Sequence, residues 1–279
     1  AAEGRLHLDD RLSRWLPRWP GAAGITLRRL LNQTSGVSLF DSEPSDPVNR
    51  AIDRRPRSFW SPQRVLGYAR RTGSSPGRDW QYNNANYLLA GLAIEGATHA
   101  TVARAMRAAI LGPLGLDDAV LQPQERERPA AAHGYGRVGH DRRQRDLSDG
   151  TGFHPYRSLA SAAWTAGGMV ASAPSVARFA DAALRGSLLT PAGRHDLLGF
   201  VPADNVPYIR YGLGIGETFS KRLATNVWSV FGATAGFGAT LMHDPGRHIT
   251  VVVLANQDEA MPLTSEIADL LLGQAAAGR

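Results

Sequence analysis

Residues 236–256 read GFGATLMHDPGRHITVVVLAN, and this stretch decides the fold class. Two runs rich in apolar and β-branched residues, 237–243 and 249–254, flank a turn-forming Asp-Pro-Gly-Arg run at 244–247. Such runs on either side of a turn predict a β-hairpin. An apolar helical face follows near the end of the chain, at Ile267, Leu270 and Leu271. Together these features predict a sheet flanked by a C-terminal helix.

The remaining sequence divides into two regions. About 1–200 is mainly helical in pattern, with Thr26 placed to cap one helix and 174–185 forming the clearest amphipathic segment. About 201–279 carries the sheet strands and the terminal helix. Residues 41–60 are rich in Asp, Pro, Ser and Arg, so we predict a loop there. Strands and helices do not alternate, which favours an antiparallel α+β fold over a doubly wound sheet.

The composition excludes several classes of protein. The chain has 279 residues, no cysteine and a formal charge of +6, and Lys221 is the sole lysine among 31 basic residues. We interpret the arginines as a solvated surface, because no basic helix or basic-aromatic alternation indicates nucleic-acid binding. No run of about 18 apolar residues predicts a transmembrane helix, and the first residues lack a signal-peptide pattern. The scattered histidines lack metal-ligand spacing, so we expect no metal and no cofactor.

Glycines alternate with larger residues at Gly212, Gly214 and Gly216. Three glycines at this spacing are also found in dinucleotide-binding loops, but those loops open a helix. No helix is predicted after this run. We therefore predict a close packing contact along a strand.

Tyr82-Asn83-Asn84 is the first candidate site, directly before a helix predicted to begin at Asn84 or Ala85. A tyrosine in such a loop can relay protons when nearby positive charge lowers its pKa. An asparagine two residues further on can bind a substrate amide. The tripeptide also fits a structural role, in which an asparagine caps the helix after a packed tyrosine.

The order of short motifs along the chain resembles that of the β-lactamase-related serine hydrolases, a group with class C β-lactamases, DD-peptidases and family VIII esterases. The segment 3–10 resembles the one directly after the nucleophile helix of that family. The other matching segments are 25–36 (ITLRRLLNQTSG, similar to I-T-I-R-H-L-L-T-H-T-S-G), 81–91 (Tyr-x-Asn and its helix), 111–116 (similar to P-L-G-M), 166–179 (similar to A-G-G-L-x-S-T-A-x-D-L-A-R-F), 211–214 (Y-G-L-G) and the hairpin 236–256. Each match is short, but the series in this order is specific.

This resemblance implies one domain over 1–279 with the β-lactamase or transpeptidase-like α+β fold. It also implies acyl transfer, in which the serine of a Ser-x-x-Lys motif attacks a carbonyl and the tyrosine of Tyr-x-Asn shares the proton transfer. On this chain that tyrosine is Tyr82, and Asn84 is the expected contact to a substrate amide. The main-chain N–H of Ala233 is the expected oxyanion donor from the Lys/His-Thr-Gly strand.

The nucleophile motif is the first departure from the family pattern. Thr218, in a strand-like stretch, stands three residues before Lys221, so no serine pairs with a lysine in helical register. We therefore expect the first sheet strands and the nucleophile helix to lie upstream of Ala1. On this interpretation the domain is incomplete and the chain as given is inactive.

The Lys/His-Thr-Gly strand is the second departure, because its positions fall on Val230, Phe231 and Gly232. Val230 carries no positive charge. Phe231 has no hydroxyl, and we expect its bulk to fill part of the subsite for a substrate carboxylate. A short deletion directly before Ala233 is an alternative explanation. Either way, the change disfavours recognition of β-lactams and peptides more than hydrolysis of esters.

Two functions remain open from the sequence. The first is a serine hydrolase that acts on a small ester, amide or β-lactam. The second is a non-catalytic relative that binds cell-wall peptide or a partner protein. Missing strands would expose apolar faces and a sheet edge, so we expect marginal stability and a covering partner, which is the missing N-terminal segment or another subunit. Relatives are often exported, which favours a periplasmic or extracellular location.

Overall fold

A computed structural model describes residues 4–37, 47–68, 79–126, 131–137, 143–186, 188–205 and 207–278. The helices are α1 Leu27–Leu31, α2 Pro47–Asp53, α3 Pro62–Leu66, α4 Asn84–Thr98, α5 Val102–Met106, α6 Arg157–Ala163, α7 Ala173–Arg185, α8 Pro191–Leu197 and α9 Met261–Ala277. The strands are β1 Val120–Leu121, β2 Tyr135–Arg137, β3 Gln144–Asp146, β4 Met169–Val170, β5 Val201–Asn205, β6 Tyr208–Tyr211, β7 Gly216–Ser220, β8 Thr225–Thr234, β9 Phe237–Asp244 and β10 Ile249–Ala255. In the described part of the chain, no helix is long and apolar enough to cross a bilayer.

The main sheet has six antiparallel strands in the order β10-β9-β8-β7-β6-β5. The hairpin predicted at 236–256 is confirmed as β9 and β10, which pair from Ile249 with Asp244 to Ala255 with Gly238. The predicted terminal helix is confirmed as α9. These elements give the antiparallel α+β fold that the sequence predicts.

Helices cover both faces of the sheet. On one face, α9 contributes Ala268 and Leu272 to a buried cluster with Val227, Met242 and Ile249. On the other face, α7 contributes buried Ala180 and Leu184, which pack with Ile215 and Leu241. Each leucine, isoleucine, valine or methionine side chain in these clusters contributes roughly 1.5–3 kcal/mol when it is removed from water, so both helices hold the strands in place.

A larger core unites the helices that precede the sheet, and the predicted loop at 41–60 is partly wrong because of it. The helix α2 occupies 47–53, and its Val48 and Ile52 are buried in this core. Their spacing of four residues places them on one helical face. The many Asp, Pro, Ser and Arg residues around them concealed this short pattern. Residues 41–46 lie outside the described residues.

The predicted helix starts agree with the structure. Thr26 caps α1, where its side chain accepts a hydrogen bond from the Arg29 N–H. The segment predicted at 174–185 forms α7, which is capped by Ser172 and ends at Gly186 in the left-handed region.

The close glycine contact predicted along a strand is confirmed for Gly216, while Gly212 and Gly214 lie between β6 and β7. A Cβ on Gly212 would approach the Leu197 carbonyl oxygen to 2.4 Å, and a Cβ on Gly216 would approach the Tyr208 ring to 2.0 Å. Any side chain at these two positions would overlap its neighbour. Gly216 therefore allows β7 to pack closely on Tyr208 of β6, whereas Gly212, directly after β6, allows a close approach to the end of α8.

Candidate active site

Tyr82 lies in the turn that leads into α4, and its two neighbours are bound to one residue. The Gln81 N–H donates to the main-chain oxygen of Gln33 at 2.9 Å. The Asn83 N–H donates to the side-chain oxygen of Gln33, also at 2.9 Å. The half-buried Tyr82 is thereby held between two anchored peptide groups.

The two asparagines after Tyr82 have different environments. Asn83 is buried and caps α4, since its side-chain oxygen accepts from the Ala85 N–H at 2.8 Å and its amide donates to the Val37 carbonyl at 2.8 Å. The structural explanation raised from the sequence therefore applies to Asn83. Asn84 is the first residue of α4 and is only half-buried. This position is compatible with the predicted contact between Asn84 and a substrate amide.

Aromatic side chains surround Tyr82 and connect it to the sheet. Its ring centroid is 6.1 Å from that of Tyr87 and 6.2 Å from that of Tyr211. The hydroxyl oxygens of Tyr87 and Tyr211 are 2.7 Å apart. Burial raises the pKa of Tyr87 and holds the pKa of Tyr211 well above its usual value, so both phenols stay protonated at neutral pH.

The aromatic series continues from Tyr211 to β8. The Tyr208 ring lies 5.0 Å from Tyr211 and 5.6 Å from Phe231. The Tyr208 hydroxyl accepts a hydrogen bond from the Phe231 N–H at 3.2 Å. Burial also raises the pKa of Tyr208, which leaves its hydroxyl protonated.

Ala233, the predicted oxyanion donor, lies near the end of β8. The partner strand β7 reaches only Ser229, which pairs with Gly216, so β8 continues beyond it. N–H groups along an antiparallel strand point alternately to its two edges. The Phe231 N–H faces Tyr208 on the β7 side, and Ala233, two residues further on, presents its N–H to that same edge. This orientation is the one that a main-chain donor to a substrate would need.

The side chains of the altered Lys/His-Thr-Gly positions point to opposite faces of β8. Val230 is 38% exposed and pairs with Leu241. Phe231 is half-buried between Tyr208 and the cluster under α9. The expectation that the bulk of Phe231 fills a substrate subsite is therefore not supported, because packing on the cluster under α9 directs the ring to the face opposite Val230. The exposed position that would carry Lys or His is aliphatic.

The sole lysine, Lys221, does not lie on a helix. Thr218 lies within β7, and Lys221 is exposed in the turn between β7 and β8. This placement agrees with the prediction that no serine pairs with this lysine in helical register. Within the described ranges, no group of three or more His, Asp or Glu side chains could hold a metal ion.

Gln33, Tyr87 and Tyr208 were not predicted as site residues. Gln33 and Tyr87 lie inside the matched segments 25–36 and 81–91, but nothing in one sequence indicates that they touch. In the structure Gln33 stands out as a non-glycine residue in the left-handed region, with φ 65°. This backbone conformation cannot be read from the sequence, so no sequence signal identifies Gln33.

Comparison with known proteins gives consistent matches. A family model described as Beta-lactamase matches residues 1–276. The chain is 33% identical over 204 residues to esterase EstB of Burkholderia gladioli, covering 65% of this chain and 51% of that protein. It is 23% identical over 267 residues to penicillin-binding protein 4* of Bacillus subtilis strain 168, covering 92% and 56%. The chain thus spans about half the length of these curated relatives. The crystal structure of a D-stereospecific amidohydrolase from Streptomyces sp. is similar with a TM-score of 0.78 and 25% identity, covering 92% of this chain and 76% of that one.

Proposed function

The chain belongs to the β-lactamase family, and on this basis we propose that the protein carrying it is a serine hydrolase that transfers acyl groups from small, uncharged esters or amides. The observation that carries the proposal is the anchored Tyr82 turn, joined through Tyr211 and Tyr208 to the β8 edge that presents the Ala233 N–H. A β-lactamase-related site needs a proton relay and an oxyanion donor, and these two features provide both.

Each residue has one part in the proposed reaction. A serine outside these 279 residues attacks the substrate carbonyl, and its lysine partner lies outside them as well, because the sole lysine here is in a β-turn. Tyr82 shares the removal of the serine proton and its return to the leaving group. The Asn84 amide binds an amide or ester group of the substrate. The Ala233 N–H donates to the oxygen that becomes negatively charged in the tetrahedral intermediate.

The β8 edge favours uncharged substrates over β-lactams. A β-lactam or a C-terminal peptide carries a carboxylate, and a Lys or His at the first motif position would stabilise that charge. Val230 offers only an aliphatic surface there. The main-chain N–H at Ala233 does not depend on its side chain, so oxyanion stabilisation is retained while carboxylate binding is lost. Similarity to an esterase at 33% identity supports the same choice.

The test uses the product of the complete gene beside the 279-residue chain. Both are incubated with a p-nitrophenyl ester and with a fluorescent penicillin, and acyl adducts are located by mass spectrometry. We expect ester turnover and an adduct on a serine of the complete product, with little reaction with penicillin. The chain alone should form no adduct. Adducts on a serine within the chain, or penicillin acylated faster than the ester, would contradict the proposal.

The alternative is a non-catalytic relative that binds cell-wall peptide or a partner protein. The observation that favours it is the loss of both polar side chains at Val230 and Phe231. Isothermal titration with a muropeptide distinguishes the two functions. Binding by a complete product that forms no adduct with any ester would support the alternative.

A further inference from the structure

Gln33 makes three contacts around Tyr82, two of them with the residues that flank it. It is 1% exposed and follows α1 in the left-handed backbone region. Its main-chain oxygen accepts from the Gln81 N–H, and its side-chain oxygen accepts from the Asn83 N–H. The same side-chain oxygen accepts from the Asn86 amide at 2.5 Å.

The orientation of the Gln33 amide is fixed by these donors. Asn86 is itself oriented, because its oxygen accepts from the Ser35 hydroxyl at 2.6 Å, which turns its NH₂ group towards Gln33. An oxygen that accepts two N–H groups cannot be exchanged with the nitrogen of the same amide. The Gln33 nitrogen must therefore point the other way.

The Gln33 nitrogen is buried and has no acceptor within hydrogen-bond distance among the described residues. Burial raises the pKa of Tyr87, whereas hydrogen bonding from Tyr211 and then from Gln33 lowers it. Tyr87 in turn meets Tyr211 and packs beside Tyr82. The main-chain and side-chain oxygens of Gln33 thus bind the N–H groups on either side of Tyr82, whose ring packs beside Tyr87 and Tyr211.

We propose that Gln33 is the positioning residue for Tyr82, and that it sets the distance between the Tyr82 hydroxyl and the reacting serine. The inference rests on the proposed serine hydrolase function. A proton relay must come within about 2.6–3.2 Å of its partner, and a misplacement of about 1 Å can reduce turnover by about 100-fold. Two anchors, one on each residue that flanks Tyr82, are a means of holding that distance.

The variants separate positioning from stability. Gln33→Leu removes both side-chain acceptor contacts, whereas Gln33→Glu retains an oxygen for the Asn83 and Asn86 donors. Gln122→Leu is the matched control, because Gln122 is also fully buried, accepts one main-chain N–H, from His154 at 3.1 Å, and has a buried nitrogen without an acceptor in the described residues. This variant tests the general effect of losing a buried glutamine.

In the complete gene product, Gln33→Leu should lower kcat for the ester by about 10- to 100-fold with KM changed less than about threefold. Gln33→Glu should recover most of that loss, and Gln122→Leu should leave kcat within about threefold of the wild type. Equal kcat in Gln33→Leu and wild type, or an equal loss in Gln122→Leu, would overturn the proposal.

Amide hydrogen exchange on the 279-residue chain distinguishes this failure from failure of the proposed function. The Gln81 and Asn83 amides should be protected in the wild type, and Asn83 should exchange at least about 10-fold faster in Gln33→Leu. If the complete product hydrolyses nothing, the proposed function fails while this exchange result still decides whether Gln33 anchors the turn. Unchanged Asn83 protection in Gln33→Leu would show that it does not.

Discussion

Replacing Asn83 by alanine should reduce stability, whereas replacing Asn84 by alanine should reduce turnover. Asn83→Ala removes the cap of α4, which costs about 1 kcal/mol. It also leaves the buried Val37 carbonyl without the amide that donates to it at 2.8 Å, which adds about 1–3 kcal/mol. The free energy of unfolding should therefore fall by about 2–4 kcal/mol.

Asn84→Ala should have little effect on folding. Asn84 is the first residue of α4 and is half-buried, and alanine has the higher helix propensity there. We expect a loss of less than about 1 kcal/mol, because the Asn84 side chain is half-buried and does not cap α4. Turnover of the ester by the complete gene product should nevertheless fall, because a substrate contact is lost.

Equilibrium urea unfolding measures the first quantity, and ester kinetics on the same preparations measure the second. The expected pattern is a lower urea midpoint with unchanged slope for Asn83→Ala, and a near-native midpoint with reduced kcat/KM for Asn84→Ala. Asn83→Asp is a useful control, because it retains the capping oxygen and loses the donor to Val37. The reasoning is refuted if both alanine variants lose the same stability, or if Asn84→Ala is fully active.

Three further outcomes are expected. Tyr208→Phe removes the acceptor of the Phe231 N–H and should lower the unfolding free energy by about 1–3 kcal/mol, measured by urea unfolding. Burial lowers the pKa of His243 from 6.5, so on acidification the unfolded chain takes up a proton before the folded chain does. The unfolding free energy should therefore fall as the pH drops below about 6.5. His243→Gln should reduce this dependence of the unfolding free energy on pH. Hydrogen bonds from Ser172 and then Ser175 lower the pKa of Asp118 from 3.8 to about 2. The ionised Asp118 therefore stabilises the fold above pH 3.8, and this stabilisation is lost as the pH falls towards about 2. Ser172→Ala should make acid unfolding, followed by circular dichroism, begin at a higher pH.

Periodicity and turn chemistry are sufficient to predict the β9–β10 hairpin and the helices α4, α7 and α9. The hairpin of β9 and β10 was predicted because its two apolar runs and the intervening turn are contiguous in sequence. The helix α2 was missed because only Val48 and Ile52 carry its pattern, and their burial depends on a core built by distant segments. Local signals predict elements well when the element itself contains the full period.

For the candidate site, local sequence signals are not sufficient. Tyr82 and Asn84 were proposed from a tripeptide, yet what holds Tyr82 is Gln33, which lies far away along the chain. The same applies to Phe231, which the sequence predicts in the site but which packs on the cluster under α9, on the opposite face of β8 from Val230. The identity of a residue suggests its chemistry, but only the tertiary contacts determine whether its side chain lies in the site.

The two sides of the site differ in how much sequence change they tolerate. The Tyr82 side is built from side-chain hydrogen bonds to Gln33, so a change of one buried amide alters the position of the turn. The β8 side offers a main-chain N–H, and its direction follows from strand register rather than from any side chain. Substitution at Val230 can therefore change which substrates bind while leaving oxyanion stabilisation intact. In the proposed reaction, a change of substrate class is thus most easily made at β8, and loss of proton transfer most easily at Gln33.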